Sequence, residues 1–514
     1  MKKHLKPTLI LLSSFALLSA CSGRTISNST TLPSSSLISS SSSIASYLIK
    51  FVNEDGTVLQ SSSFKSGTLP VYNGATPTKS MTATTYYVFS GWSPSIARAS
   101  GDATYTAVFT SHDIAAESLA KITFVYDSAS ATYQVDQSDN GLDLPAVIVP
   151  PSYDDGSNGS HPVTALLDNA FWRWEKLEQL SLPTTIRSIG NAAFSNCSSL
   201  TEVTIPEGVT EIGMYAFQDC PSLTKISFPS TVSEVGIAIF YRDYFLKTIE
   251  VASGSSKLTT DSRALFLGTS LVAYASASGK DYVVPEGIKS IELLAFTHSD
   301  MLETISLPAS LTTLWPMEHT SALKKITLAE GNTTFSTDSR SVIDKASQRL
   351  CAYANASGAT YTIPDGVVEI CENAFVGAVS LTSITAPSSL TKISQDAFMA
   401  CTALEEVTIP DTVTTIQGGA FSQCQELKTL AIPSGLTKID AGCFLYCEKI
   451  NKLTLPSALT EISQNAFYGA ESLDTLNFSG TMSAWSSVKK GSSWHEDTPL
   501  KSVLCSDGTS TQLD

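Results

Sequence analysis

Leu200 to Ser222 reads LTEVTIPEGVTEIGMYAFQDCPS, and most of the sequence that follows is a set of variants on it. Leu200, Val203 and Ile205 have the L-x-x-V-x-I spacing of a short strand. Pro206 ends that strand, because proline has no amide hydrogen to donate and fixes its own φ. After the Glu207-Gly208 turn, Val209 and Ile212 start a second short strand. Gly213 is expected to bend the chain, and Ala216-Phe217 returns an apolar pair inward before Cys220 and the next leucine.

The phenylalanine of that pair marks a period. It recurs at Phe171, Phe194, Phe217 and Phe240 in steps of 23 residues, and at Phe375, Phe398, Phe421, Phe444 and Phe467 in the same step. Phe296 stands 56 residues after Phe240, one step of 23 with an excess of 33; another step lands on His319, which is again 56 residues from Phe375. Two inserts of one length are therefore expected. A unit this short cannot bury its apolar side alone, so copies must stack and share one core. The expected fold is mainly β: a solenoid of about a dozen such rungs with two hairpin-type inserts.

Written as L-x-x-[IVL]-x-[ILF]-P-x-x-[VL]-T-x-I-x-x-x-A-F-x-x-C, the unit resembles the leucine-rich repeat of the BspA-like bacterial surface antigens, over roughly Leu119 to Cys505. The resemblance implies a right-handed horseshoe or rod with a short strand on each side of the repeat. It also implies a cell-surface protein that binds or adheres to host or neighbouring cells, and it implies no reaction.

The N-terminus carries Lys2, Lys3 and Lys6, then an apolar run from Thr8 to Ala20 that is too short to span a bilayer. Leu18-Ser19-Ala20-Cys21 resembles a bacterial lipobox, which implies cleavage before Cys21 and a diacylglycerol on its thiol. Residues 1–20 are then a lipoprotein signal peptide; an ordinary secretory signal with an incidental cysteine is the alternative. Acyl chains contribute about 0.8 kcal/mol per buried methylene, so the two or three of a lipoprotein hold it at a membrane where one would be marginal. Residues 21–46 are Ser- and Thr-rich with too little apolar content to fold, and read as a tether.

Residues 47–110 change character. Leu48 to Val52, Thr57 to Gln60, Tyr86 to Phe89 and Thr104 to Phe109 read as strands, the first two joined by a turn at Asn53-Glu54-Asp55-Gly56. The order F-x-N-x-D-G-T-V-L, G-x-L-P, P-x-K, F-x-G-W, Y-T-A-V-F resembles the internalin-type B repeat (Listeria-Bacteroides repeat), a small β-grasp-like module of surface proteins. Trp92 is expected in its core, because a module this small needs large side chains to close; a ligand platform is the alternative. Residues 111–118 read as a polar linker. The leucine-rich repeat domain then spans 119–514, with an N-terminal cap at 119–167 and a C-terminal cap at 478–514, where the sequence leaves the period.

Within the repeats, Cys197, Cys220, Cys401, Cys424 and Cys447 each follow the repeat phenylalanine by three residues. They read as small buried apolar groups, with bridges between neighbouring rungs left open. The two inserts repeat a pattern: Thr260-Asp261-Ser262-Arg263 and Thr337-Asp338-Ser339-Arg340, then YASASG from Tyr274 and YANASG from Tyr353. They are expected to add hairpin strands to the stack; projecting binding loops are the alternative.

A net charge of -16 argues against nucleic acid and against anionic lipid as partners. The chain has no G-x-S-x-G, H-E-x-x-H or P-loop. Ser222-x-x-Lys225, Ser321-x-x-Lys324 and Ser389-x-x-Lys392 fall at similar phases of the repeat, so repetition explains them. Asp154 to Gly159 reads as a turn and His495-Glu496-Asp497 as solvated surface, each with a metal as the alternative. No catalytic residue, cofactor or metal is expected. What remains is surface: Ser181, Thr204, Ser227, Glu250, Ser306, Thr327, Thr385, Thr408, Ala431, Thr454 and Asn477 lie between the inward positions of successive first strands. They are expected to form a hydroxyl-rich stripe, with Glu202, Glu405 and Glu406 beside it, that suits a broad protein or glycan partner on a host or neighbouring cell. Strand propensity of threonine is the plainer account of the same residues. The expected protein is extracellular, anchored to the bacterial membrane through Cys21, and not an enzyme. An envelope hydrolase with its site in the inserts or caps, or a passive display spacer, are the alternatives.

Overall fold

The computed structural model describes residues 45–138, 143–511 and 513. Cys21, the segment before it and the Ser-rich stretch up to residue 44 lie outside the described residues. The chain divides into two compact units, one holding residues up to Pro77 with Gly91–Val108, the other Thr78–Ser90 with the chain from Phe109 on.

In the first unit β1 (Ser46–Val52) and β2 (Val58–Lys65) form a hairpin, and Gly56 supplies the positive φ of its turn (86°). β3 (Thr85–Ser93) and β4 (Ala103–Asp113) run through the boundary between the units, and β4 pairs with β1 in parallel, Ile49 opposite Ala103. The Trp92 ring lies 4.8 Å from that of Phe51 and 5.0 Å from that of Tyr72, inside the module's small core.

Residues 111–118 are not a polar linker: β4 continues to Asp113, and α1 (Ile114–Lys121) follows. Asp113 caps the helix by accepting the Ala116 amide at 2.8 Å, and the buried Ser118 hydroxyl accepts the Ile148 amide at 3.0 Å. A helix of eight residues with two buried side chains, Ile114 and Ser118, leaves little periodic signal. β5 (Thr123–Asp127) and β6 (Thr132–Asp136) follow, and β6 pairs with His161–Leu166 to lead into the repeats.

Each regular repeat makes one turn of the coil and bonds to the next on up to three sides. On the first, Val203, Ile226 and Ile249 are opposite one another in parallel strands; on the second, Ile189, Ile212 and Val235 are. The third side is the phenylalanine turn, where the Phe171 amide donates to Ala193 at 2.7 Å and the Phe194 amide to Ala216 at 2.8 Å. Flanking amides continue this ladder, Asn169 to Asn191 and Arg173 to Ser195, both at 2.9 Å. Left-handed residues two before and two after the phenylalanine, such as Asn169 and Arg173 (both φ 63°), turn alternate amides toward the next rung. Where all three ladders run, as between the rungs of Phe217 and Phe240, they satisfy the backbone all round the coil.

Inside, the rings form a column. Phe171, Phe194 and Phe217 stack at 5.3 Å with nearly parallel planes, and Phe398, Phe421, Phe444 and Phe467 at 5.2 to 5.7 Å. Gly213 serves space and not a bend: a Cβ there would come within 2.5 Å of the Asn191 nitrogen in the previous rung.

The inserts join the stack. In the first, Leu258–Thr260, Ala264–Leu267 and Ser270–Tyr274 form an antiparallel meander whose last strand pairs in parallel with Ser290–Ile291. Tyr274 then enters the ring column 5.0 Å from Phe296, as Tyr353 of the second insert does 4.5 Å from Phe375. Each insert is thus a rung of its own with a hairpin attached.

The inserts are not, however, of one length. The rung after Phe296 is short: Glu303 meets Lys324 across the stack, 21 residues on, where 23 is the rule. Met317, buried beside Phe296 in the core, takes the phenylalanine's place, and His319 stacks on His298 at 4.8 Å, two positions beyond it. The second insert restores the count, because Asp344 pairs with Arg349 across a turn two residues longer than the one between Leu267 and Ser270. Two equal gaps in sequence hide a deletion and its compensation.

The period also runs further than expected at the C-terminal end. Beyond Phe478, α2 (Met482–Ser487) lengthens one rung, after which Lys489 pairs with Glu461 and the Phe467 amide donates to the Trp494 carbonyl at 2.7 Å. Trp485 and Trp494 are buried there, and Val503–Cys505 and Gly508–Ser510 finish the first-strand side.

Candidate functional site

The stripe anticipated from the repeats is present as three in-register runs. Thr204, Ser227 and Glu250 lie side by side, then Ser306 and Thr327, then Thr385 with Thr408, and Ala431, Thr454 and Asn477. The inserts separate the runs and contribute Val283 and Thr362, which the sequence reading left out. Val283, 70% exposed, is an apolar point in the row, as Ala431 is. Most of these side chains face solvent because the strand alternates and their neighbours on both sides point into the core.

The row dips at Ala431, where most rungs carry a hydroxyl. Thr429, Ala431, Ile432, Lys452, Thr454 and Ser479 border an open depression of about 530 Å³, with no aromatic ring on its walls. Beside the row, acidic and basic residues alternate from rung to rung. Glu303 takes Lys280 and Lys324 at 2.7 Å each, and these lysines pull its carboxyl down to about 2. Glu405 pairs with Lys428, and Lys225 with Glu250 at 2.8 Å. These pairs align adjacent rungs while contributing little stability, as exposed ion pairs do.

The repeated insert pattern proves to be a brace. Arg263 donates to the Tyr274 hydroxyl at 2.8 Å and to Ser278, while Asp261 accepts from Tyr282 at 2.8 Å. Arg340 does the same with Tyr353 and Ser357, and Asp338 with Tyr361. The guanidinium of each lies over the ring of the second tyrosine, at 5.0 and 4.7 Å from its centre. The conspicuous residues of both inserts therefore spend their polar groups on each other.

The repeat cysteines are free thiols, each donating to the carbonyl of the phenylalanine one rung back: Cys197 to Phe171 at 3.3 Å, Cys424 to Phe398 at 3.2 Å, Cys447 to Phe421 at 3.1 Å. Burial pushes Cys197 and Cys401 up to about 12, so these thiols are poor nucleophiles. Between Phe240 and Met317 the thiol's place passes to Asp243, Ser299 and Thr320, all fully buried. Asp243 accepts the Cys220 amide at 2.7 Å, and burial holds its carboxyl well above the usual range. His298 and His319 line the outside of this polar break, among Tyr241, Tyr244 and Arg242.

Asp154 to Gly159 is a turn closed on itself, with Asp155 accepting the Ser157 and Asn158 amides at 2.8 and 2.9 Å. His495 lies against the Trp494 ring at 4.4 Å. Among the described residues no three His, Cys, Asp or Glu side chains are grouped so as to hold a metal ion.

Residues 164–277, 270–341 and 351–487 match the BspA type leucine rich repeat region, in six copies. That is more than half of the chain, and the chain belongs to the BspA-type leucine-rich repeat family. No curated protein matches it. Among solved structures it is similar to a leucine rich cell surface protein from Faecalibacterium prausnitzii A2-165, at 24% identity and TM-score 0.48, over 72% of this chain and 96% of that one. The pneumococcal vaccine antigen PcpA is 19% identical, with TM-score 0.39 over 74% of this chain and 96% of that one. A leucine-rich repeat protein from Eubacterium ventriosum ATCC 27560 is 20% identical, with TM-score 0.41 over 74% and 93%.

Proposed function

We propose that this protein is a bacterial cell-surface lipoprotein, held to the membrane through Cys21, that binds protein or glycan ligands of a host or neighbouring cell through the exposed hydroxyl row of its repeats. The observation that carries this reading is the row itself. Hydroxyl side chains exposed and in register over successive rungs, as Thr362, Thr385 and Thr408 are, offer a broad polar surface whose hydrogen-bonding groups repeat at the strand spacing of about 4.8 Å. An open depression around Ala431 adds relief to this surface. Family membership supports the fold of such a binder, and the lipobox-like tetrapeptide supports its place in the cell. In this reading the chain is a binder with no reaction of its own.

The test uses the full chain against a panel of matrix proteins, host cells, other bacteria and glycans. A ligand should be found, and Thr408→Arg or Thr454→Arg should weaken it at least tenfold with no change in melting temperature. No binding anywhere on the panel counts against the reading; binding indifferent to both substitutions moves the site off the row. Cys21→Ala should release the protein from membranes, and retention would refute the anchor.

A further inference from the structure

One pair of cysteines lies off the repeat column. Cys351 is the middle residue of the last hairpin strand of the second insert (Arg349–Tyr353), and Cys371 directly follows the neighbouring strand (Glu369–Ile370). Leu350 is opposite Ile370, and the Cys371 amide donates to the Leu350 carbonyl at 2.9 Å, so the ladder continues through the two cysteines. Their sulfurs are 3.7 Å apart. We infer that Cys351 and Cys371 form a redox-active dithiol that closes to an intramolecular disulfide by exchange with a small-molecule or protein disulfide, fastening the second insert to the rung that follows.

The geometry allows it. Neighbouring strands hold their Cα atoms about 4.8 Å apart, inside the roughly 4.4 to 6.8 Å that disulfides span, and rotation of the side chains closes the sulfurs to about 2.05 Å. Cys351 is partly exposed whereas Cys371 is buried, so the first thiol is the one an external disulfide reaches. The Cys371 thiol donates to the Cys351 sulfur, which favours the thiolate of Cys351 and disfavours that of Cys371; Arg349 acts in the same direction on Cys351. In the exchange the Cys351 thiolate attacks one sulfur of the incoming disulfide and expels the other as a thiolate. Cys371, on losing its proton, attacks the Cys351 sulfur and expels the second thiolate. Two protein thiols are oxidised, one disulfide is reduced to two thiols, and the two protons end on the expelled sulfurs.

The pair is particular to the second insert. The corresponding neighbours in the first follow Leu271 opposite Ile291 and are Val272 and Glu292, which can form no such bond. The repeat thiols lack the arrangement too, since each is fully buried and donates to a phenylalanine carbonyl.

The experiment takes the reduced full chain, incubates it with glutathione disulfide at pH 8, alkylates the remaining thiols, digests and maps the peptides by mass. The expected result is a loss of two titratable thiols, the peptides holding Cys351 and Cys371 joined and two hydrogens lighter than the dithiol, and full reversal by dithiothreitol. In Cys371→Ser, Cys351 should accumulate as a glutathione adduct, with far-UV circular dichroism checking its fold. The inference is overturned if both peptides of the native protein stay alkylated. It is equally overturned if wild-type Cys351 keeps glutathione without being resolved by Cys371, or if the repeat cysteines oxidise first. None of these outcomes depends on which ligand the hydroxyl row binds.

Discussion

The ring column can be tested by removing one member and asking how far the damage travels. Phe421 is fully buried, 5.2 Å from Phe398 and 5.7 Å from Phe444 in nearly parallel stacks. Phe421→Ala should cost about 3 to 5 kcal/mol, the range for deleting a buried phenylalanine. The rings also interact with each other, by about 0.5 to 1.5 kcal/mol per pair beyond burial. A cycle with Phe398→Leu and Phe421→Leu should therefore show a coupling in that range. Phe398 and Phe467 are three rungs apart, about 14 Å at the strand spacing, and should be additive within about 0.5 kcal/mol. Urea unfolding gives the totals, and native-state hydrogen exchange gives the location. Amides of Phe398, Phe421 and Phe444, which bond from rung to rung, should lose protection in Phe421→Ala while those of Phe171 and Phe194 keep theirs. Equal loss at both ends, or strict additivity of the neighbouring pair, would refute a core built from nearest-neighbour layers.

Three other outcomes are expected. His298 is held down to about 3 by burial, with His319 and Arg242 adding to it, and His319 is also lowered by burial. The unfolded chain takes up protons from about 6.5, so stability falls as pH drops below that value; for His298 alone the loss reaches at most about 2 kcal/mol by pH 5. Glu318, pushed up to about 7 by burial, works the other way, since its ionisation costs stability as pH rises from about 4.5 toward 7. His298→Gln should flatten the acid limb of a stability-versus-pH curve and Glu318→Gln should steepen it; unchanged curves would refute both. Ala192 and Ala400 sit at left-handed φ of 51° and 58°, so Ala192→Gly and Ala400→Gly should each raise stability, by up to about 1 kcal/mol in urea titrations, against the usual effect of glycine. Iodoacetamide on the native protein at pH 8 should modify Cys351 well before Cys197, Cys220, Cys401, Cys424 or Cys447, and rapid labelling of any repeat thiol would show the column to be open.

The coil was legible because its signal repeats: the leucines, Pro206 and Phe217 each recur in phase, and every copy tests the same inference. The hydroxyl row followed at once from strand alternation. What the sequence concealed are features that occur once. The α1 helix at Ile114–Lys121 has one capping residue and no repeat to reinforce it. The shortened rung escaped because a compensating lengthening restored the count, so arithmetic on phenylalanines placed His319 where Met317 packs. Cys351 and Cys371 are 20 residues apart in the chain and only strand pairing brings them together, which no spacing rule for cysteines would find. The brace around Arg263 and Arg340 was visible as a repeated motif, but its meaning needed the tyrosine rings to be placed.

The two residues missing before Met317 have a wider bearing. Each layer takes its alignment afresh from the layer below, here through Thr313 on Ser290 and Lys325 on Thr304, so an error of length is absorbed where it occurs and is not passed along. Genetic slippage that adds or drops a few codons at a bend would then leave the outward-facing surface of every other layer intact. A molecule made this way can change its reach and its decoration from one generation to the next while its architecture stays put.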